Sequence, residues 1–537
     1  ILMTQICKIE IDGRAYDATS GESLLTTLHR HGIVVPALCH HPGLSCPATC
    51  RSCVVHVEDA QAERHVVTAC NHSVAAGLIR HVLDEDSQQL RSRALAQLLQ
   101  RHQMDCPICE AAGECEFQEA VAGHGPQKQP HELHGATARL QLGTRLIFDA
   151  GRCIQCGRCA RFEDEVSGTQ QLSMQGRGGD IDVVVAAAGV DHALGGNLVD
   201  LCPAGALVDP ESTSLPPTWT RRSVDTVCGG CGTGCAIRAD IDDGGRVVSL
   251  RPRNDEQVNG WWMCDHGRYE SDADHEDRLA LPEPPSPDPE TAWQVSIDRL
   301  KRRLMQPRSA VWLSPFLTLE EAFLLIEAAQ GWGARLFQWA PPEAREQSFP
   351  GGFKISACAA PNATGLQRLL AESNIQAGST ADLQGAIADK QVGQLLMCGG
   401  GPAGGRPPIK RDDIVFVAAH DLTGASTADL LIPASHWLEK DGTFLNQTQQ
   451  LRRVRPARRT ASGHTDLELM LALAGRADTT AGQVFAELVE RFAWLEGNSY
   501  AQLDADARTQ PSGVAAGGAW MDSLQRQRLL VIEDPAR

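Results

Sequence analysis

The chain has 537 residues, 42% hydrophobic and 22% charged, and 67 acidic against 49 basic residues leave a formal charge of −18. That length suggests roughly three to five domains, and the acidic balance, with no basic run, argues against a nucleic-acid or anionic-membrane binder. No apolar stretch reaches the roughly 18 residues of a membrane span. The opening "ILMTQICKIEIDG" lacks the basic and apolar regions of a secretory signal, so a cytoplasmic location is expected. In chain order, "CKIEIDG" and "RAYDA" read as a β-hairpin, and "ESLLTTLHRHG" as a short helix.

Of the 19 cysteines, 17 lie before residue 265 and most are in tight groups. In a chain expected in the cytoplasm, such clusters read as metal or iron–sulfur ligands rather than disulfides. The first group is Cys39, Cys50, Cys53 and Cys70, spaced C-x10-C-x2-C-x16-C. Following a hairpin and helix, it has the order of a plant-type [2Fe–2S] ferredoxin domain, though without that family's C-x4-C-x2-C spacing. Cys46 competes for a ligand place, and a structural zinc loop is the plain alternative.

The second group, in "HQMDCPICEAAGEC", has only three thiols: Cys106, Cys109 and Cys115. A cubane needs a fourth ligand. The nearby donors are His102, Asp105, Glu110 and Glu114, and imidazole is the better-attested substitute for thiolate on cluster iron. His102, at the end of the helical run "ALAQLLQRH", is therefore placed first.

The third group is the most specific. "GRCIQCGRCARFEDE" supplies Cys153, Cys156 and Cys159, and "DLCPAGAL" supplies Cys202 followed by Pro203. A C-x2-C-x2-C run with a remote Cys-Pro is bacterial-ferredoxin chemistry and predicts one [4Fe–4S] cluster. The fourth group, Cys228, Cys231, Cys235 and Cys264, is spaced C-x2-C-x3-C-x28-C with glycines between ligands. A zinc ribbon is its alternative.

Taken in order, these residues resemble the large iron–sulfur subunit of respiratory complex I, the NADH:quinone oxidoreductase. The likeness is close over the first 275 residues and weaker to about residue 460. In that family H-x3-C-x2-C-x5-C binds a [4Fe–4S] cluster, and His102, Cys106, Cys109 and Cys115 match it. "RCIQCGRCARF" and "GNLVDLCPAGAL" match the two segments that follow. The fourth group resembles the cluster segment that opens molybdopterin oxidoreductases. "DLLIPASHWLEKDGTFLNQTQQLRRVRPA", from Asp429, is similar to a later stretch of that fold, with "NQTQQ" where it usually reads "NxEGRxQ".

The resemblance implies a multidomain α/β and α+β chain. Its expected parts are a plant-type ferredoxin β-grasp domain (1–80), a helical segment with one histidine and three cysteine ligands (81–140) and a bacterial-ferredoxin-like domain (141–220). A molybdopterin-oxidoreductase-type [4Fe–4S] domain (221–275) follows, then a truncated, degenerate α/β domain with a parallel sheet (276–475) and a tail or docking segment (476–537). It implies one [2Fe–2S] and three [4Fe–4S] clusters, no molybdopterin and no catalytic substrate site. Electrons would enter from an FMN/NADH-binding subunit and leave toward quinone through other peripheral-arm subunits. The membrane arm would be met only indirectly, at the cytoplasmic side of the inner (plasma) membrane. An equivalent relay in a soluble NAD-linked hydrogenase, formate dehydrogenase or electron-bifurcating complex is the alternative. Gly399, Gly401 and Gly404 have G-x-G-x-x-G spacing, but Pro407 and Pro408 prevent the helix a dinucleotide site requires.

Overall fold

The computed structural model describes residues 6–59, 61–75, 77–126, 138–177, 181–211, 218–269, 289–340, 345–398 and 430–509. These form two compact units, the first running to Trp219 and including Phe349–Gly352, the second beginning at Thr220.

The first unit opens with β1 (Ile6–Ile11) and β2 (Arg14–Thr19). They are joined by Asp12 and Gly13, both with positive φ (46° and 77°). Two left-handed central residues make the hairpin turn whose twist suits the strands, and an Asp-Gly pair adopts it at least cost. Helix α1 (Leu24–Arg30) starts where the Ser23 hydroxyl accepts from the Thr26 N–H at 3.1 Å. With β3 (Val54–Glu58), β4 (Arg64–Thr68) and β5 (Ile79–His81), the sheet order is β2-β1-β5-β3-β4, with only β1 and β5 parallel. Leu24, Leu25 and Leu28 of α1 bury against Ile9, Ile11 and Val55 of that sheet. Each such side chain contributes on the order of 1.5–3 kcal/mol.

Helix α2 (Glu85–Leu99), capped by Asp84, packs on α3 (Glu116–His124). Then come β6 (Arg139–Gln141), β7 (Ile147–Asp149), α4 (Arg158–Phe162), a hairpin of β8 (Leu172–Gln175) and β9 (Asp182–Val185), α5 (Asn197–Leu201) and β10 (Leu207–Val208). β10, β7 and β6 form one antiparallel sheet in that order.

The second unit begins with the antiparallel sheet of β11 (Arg222–Val227), β12 (Ala236–Ile241) and β13 (Val247–Pro252), then α6 (Asp265–Tyr269) and α7 (Pro289–Leu304). Next are β14 (Ser309–Leu313), α8 (Leu319–Gly331) and β15 (Arg335–Gln338). A short ribbon of β16 (Gln347–Ser348) and β17 (Lys354–Ile355) precedes α9 (Ala363–Glu372), α10 (Thr380–Ala388) and β18 (Gln394–Met397). β15, β14 and β18 are parallel in that order, and all five residues of β14 are buried. A continuous apolar run such as "SAVWL" suits a strand covered on both faces. Helix α8 is started by a capping box between Thr318 and Glu321.

Beyond them lie the hairpin of β19 (Gly442–Leu445) and β20 (Leu451–Val454), then α11 (Asp466–Leu473), α12 (Ala481–Arg491) and α13 (Tyr500–Thr509). Here the structure corrects the expectation of a tail from residue 476. Val484, Phe485 and Leu488 of α12, with Phe492, Leu495 and Leu503, belong to the same buried core as α8 and β14. The physical reason is the helical repeat of apolar residues in "VFAELVERF", which gives α12 one face to bury. Gly399, Gly401 and Gly404, with the G-x-G-x-x-G spacing, lie outside the described residues. Among those described, no helix is long and apolar enough to cross a membrane.

Candidate metal centres

In the first group, the Cys39 N–H donates to Cys50 Sγ at 3.4 Å. The Cys39 and Cys50 thiols meet, as do those of Cys53 and Cys70. The Cys39–Cys50 contact draws the Cys39 thiol down and pushes the Cys50 thiol up, as two sulfurs sharing one proton do. Cys39, Cys53 and Cys70 are at most 4% exposed. Cys46 also reaches Cys70, but it is exposed, and burial pushes its own thiol up to about 11. Cys50 is half-buried, so all four members of the set are less exposed than the competitor Cys46.

The second group lines a cavity of ≈ 200 Å³ that has His102, Cys106, Cys109 and Cys115 in its wall. His102 lies three residues past the end of α2 and is 6% exposed. Its Nδ1 lies 2.9 Å from the Arg152 carbonyl. A carbonyl only accepts, so Nδ1 carries the proton and Nε2 keeps a lone pair. Burial lowers the ring's pKa, opposed by that bond, and so favours the neutral imidazole a metal needs. The Cys115 sulfur accepts from the Gln118 N–H at 3.3 Å, and burial pushes its thiol up to about 12. Gly205 (φ +65°) closes the site, since a Cβ there would stand 2.5 Å from Ala111 and 3.3 Å from Cys109 Sγ. Donor set, tautomer and enclosed space fit a [4Fe–4S] cluster. Asp105 and Glu110, the alternative donors, are instead engaged by the Arg152 guanidinium.

In the third group, the Cys159 sulfur, buried and held well above its ordinary pKa by that burial, also feels Cys156, Cys153 and Cys202. Backbone N–H groups of Gln155 and Ala206 donate to Cys153 Sγ and Cys202 Sγ at 3.4 and 3.2 Å. Gln155 (φ 56°) and Gly157 (φ 69°) bend the loop around the sulfurs. In the second unit, Cys235 likewise feels Cys228, Cys231 and Cys264 beyond its burial. Gly230 and Gly267 donate to Cys228 Sγ and Cys264 Sγ, each at 3.4 Å. A Cβ on Gly267 would lie 2.8 Å from Cys228 Sγ, and one on Gly229 would lie 2.4 Å from the Trp437 ring. Each loop therefore brings together one complete predicted donor set. N–H donors of this kind stabilise charge on sulfur and so raise the reduction potential of a cluster bound there.

One feature of the first unit was not legible in the cysteine spacing. Leu38, Leu95, Leu99, Phe117 and Ile154 make a single apolar core, and Cys50, Cys115 and Cys156 all border it. The residues missed by the sequence reading are arginines interleaved with the ligands: Arg152, paired with Asp105 and Glu110, Arg158, paired with Glu116, and Arg161, which donates to the Ser45 and Cys39 carbonyls. The signal was present in "RCIQCGRCARF", where arginines alternate with cysteines.

Four family matches follow the same order. Residues 5–81 match the 2Fe-2S iron-sulfur cluster binding domain, and residues 91–130 the NADH-ubiquinone oxidoreductase-G iron-sulfur binding region. Residues 143–208 match the ferredoxin-like domain of NADH-quinone oxidoreductase subunit 3, and residues 221–272 the molybdopterin oxidoreductase Fe4S4 domain. Together they establish a multidomain α/β arrangement carrying both [2Fe–2S]- and [4Fe–4S]-binding domains. Among curated relatives, the NADH-ubiquinone oxidoreductase 78 kDa subunit of Neurospora crassa is 30% identical over 279 residues, 51% of this chain and 37% of that protein. NADH-quinone oxidoreductase subunit 3 of Thermus thermophilus is 27% identical over 362 residues, 60% of this chain and 46% of that one. The NADH-ubiquinone oxidoreductase 75 kDa subunit of Reclinomonas americana is 31% identical over 274 residues, 51% of this chain and 39% of its own. A solved NAD+-reducing [NiFe]-hydrogenase chain matches 39% of this chain and 90% of its own at 26% identity, with a TM-score of 0.35. The chain thus spans less than half the length of these curated relatives. Over residues 5–272 it is similar to the iron–sulfur subunits of NADH–quinone oxidoreductases, those called subunit 3 or the 75/78 kDa subunit.

Proposed function

We propose that this chain is an electron relay of an NADH:quinone oxidoreductase, with four iron–sulfur sites. Cys39, Cys50, Cys53 and Cys70 hold a [2Fe–2S] cluster. His102 with Cys106, Cys109 and Cys115 holds a [4Fe–4S] cluster, as do Cys153, Cys156, Cys159 and Cys202, and Cys228, Cys231, Cys235 and Cys264. Bound there, such clusters supply reversible one-electron transfer. The observation that carries the reading is the single apolar core bordered by Cys50, Cys115 and Cys156. It keeps water from three donor sets while their loops stay packed together. The protein's own contribution is to orient the ligands, donate N–H groups to sulfur and keep the medium dry.

By this reading the domains are those set out above, except that the degenerate α/β domain continues through α12. Electrons come from an FMN/NADH-binding subunit and pass to other peripheral-arm subunits on the cytoplasmic side of the membrane. The chain has no substrate site of its own, and we assign it no molybdopterin.

The test is a mild-detergent pull-down from the native host with mass spectrometry of stoichiometric partners. A flavin–NADH subunit together with membrane-embedded, antiporter-like subunits is the expected result. The flavin subunit with a hydrogenase or formate dehydrogenase and no membrane partner would move the relay to a soluble complex. Within the first site, Cys39→Ser is expected to abolish the [2Fe–2S] EPR signal while Cys46→Ser leaves it intact, because Cys39 is buried and Cys46 is exposed. The reverse pattern would overturn the ligand set.

A further inference from the structure

Arg158 sits between Cys156 and Cys159 and is 2% exposed. Its guanidinium makes a two-pronged bond to Glu116, Nη1 to Oε1 and Nη2 to Oε2, both at 2.9 Å. Nη1 also donates to the Leu201 carbonyl at 3.2 Å, and Nη2 to the Ala37 carbonyl at 3.4 Å. Each partner lies beside a ligand: Ala37 two residues before Cys39, Glu116 directly after Cys115, Leu201 directly before Cys202. One side chain therefore ties together the ligand loops of all three donor sets in the first unit. Its Nε–H is buried with no acceptor among the described residues. Such a donor is available to a thiolate or to cluster sulfide.

We propose that Arg158, neutralised in part by Glu116, is a positioning residue that sets the potentials of the first and third clusters jointly. The inference rests on the cluster ligation proposed above. Its physical basis is a fixed charge in a dry core. Cys156 and Cys50 are both within reach of the Arg158 charge, as its electrostatic partners show. A reduced cluster carries one more negative charge than an oxidised one. A nearby cation therefore favours reduction, and a nearby carboxylate opposes it, with little solvent screening between. A surface arginine would do far less.

The pair gives a prediction that a purely structural role would not. In the anaerobically purified full-length chain, EPR-monitored redox titration should show Arg158→Met lowering the potentials of the [2Fe–2S] cluster and the Cys153-group cluster. The expected size is about tenfold in the oxidised-to-reduced ratio at fixed potential, which is 59 mV for one electron. Glu116→Gln keeps the shape of the pair and should raise the same two potentials. Arg158→Lys keeps the charge without the two-pronged geometry; it should hold the potentials near wild type while lowering thermal stability.

Potentials that do not move in Glu116→Gln, or that move the same way in Glu116→Gln and Arg158→Met, would overturn the proposal. Should Arg158→Met fail to fold, Glu116→Gln and Arg158→Lys decide it on the same criteria. A wild-type chain without these two EPR signals would instead remove the ligand assignment, and this inference with it.

Discussion

In a His102→Ala variant, iron content falls by as much as one cluster, while the EPR signals assigned to the other three sites persist. Cys106, Cys109 and Cys115 offer three thiols around the ≈ 200 Å³ cavity, whose wall also holds His102 and Asp105. Two of the three carboxylates weighed against His102 are bound elsewhere: Asp105 to Arg152 at 2.7 Å, and Glu110 to both Arg152 and Arg139 at its two oxygens. Freeing either would break a partly buried ion pair, at a cost of about 3 kcal/mol or more. His102→Cys is expected to restore iron with an altered EPR signature, because thiolate donates more charge than imidazole and lowers the potential. Iron analysis and EPR of both variants check this. Unchanged iron and an unchanged spectrum in His102→Ala would remove the histidine as a ligand.

The second large effect concerns folding rather than electron transfer. Lys440→Met is expected to destabilise the second unit by about 3–5 kcal/mol, the usual result of removing one partner from a buried ion pair. Lys440 and its neighbours Glu321 and Asp466 are all at most 3% exposed at the side chain. The ammonium lies 2.8 Å from Glu321 and 2.5 Å from Asp466. Burial works against its charge, but the two carboxylates more than offset that and hold it protonated. Glu321 also closes the capping box of α8 by accepting from the Thr318 N–H at 2.9 Å. Asp466 begins α11 and accepts from the Ser435 N–H at 3.0 Å. The lysine thus locks two helix starts onto the loop before β19, and its removal leaves two carboxylates in apolar surroundings. Chemical denaturation monitored by tryptophan fluorescence measures the change. A triple variant, Lys440→Met with Glu321→Gln and Asp466→Asn, should lose less than Lys440→Met alone; a larger loss would show that the cost is packing rather than unpaired charge.

Much of the first unit was legible because cluster chemistry dictates local spacing. A C-x2-C-x2-C run can wrap only a small polynuclear centre, and a triplet of thiols demands a fourth donor nearby. The Asp12-Gly13 turn and the α1 cap are equally local, since both are decided within four residues. The end of the second unit was not legible in the same way. No motif marked the segment after residue 476, and it is packing against α8 that brings residues 481–503 into a core.

By itself, then, the amino-acid sequence nominated the candidate ligands: sixteen donors in four sets, their order, and a histidine beside the one set that has only three cysteines. Ligand identity is a property of residue type and short spacing, so it survives without a structure. Only the tertiary structure showed that Cys39 is buried while its competitor Cys46 is exposed. Only it fixed the His102 tautomer through a carbonyl 50 residues away. And only it brought Ala37, Glu116 and Leu201 to one arginine, up to 121 residues apart along the chain. Contacts of that kind depend on long-range packing of apolar faces, and neither composition nor spacing encodes where those faces meet.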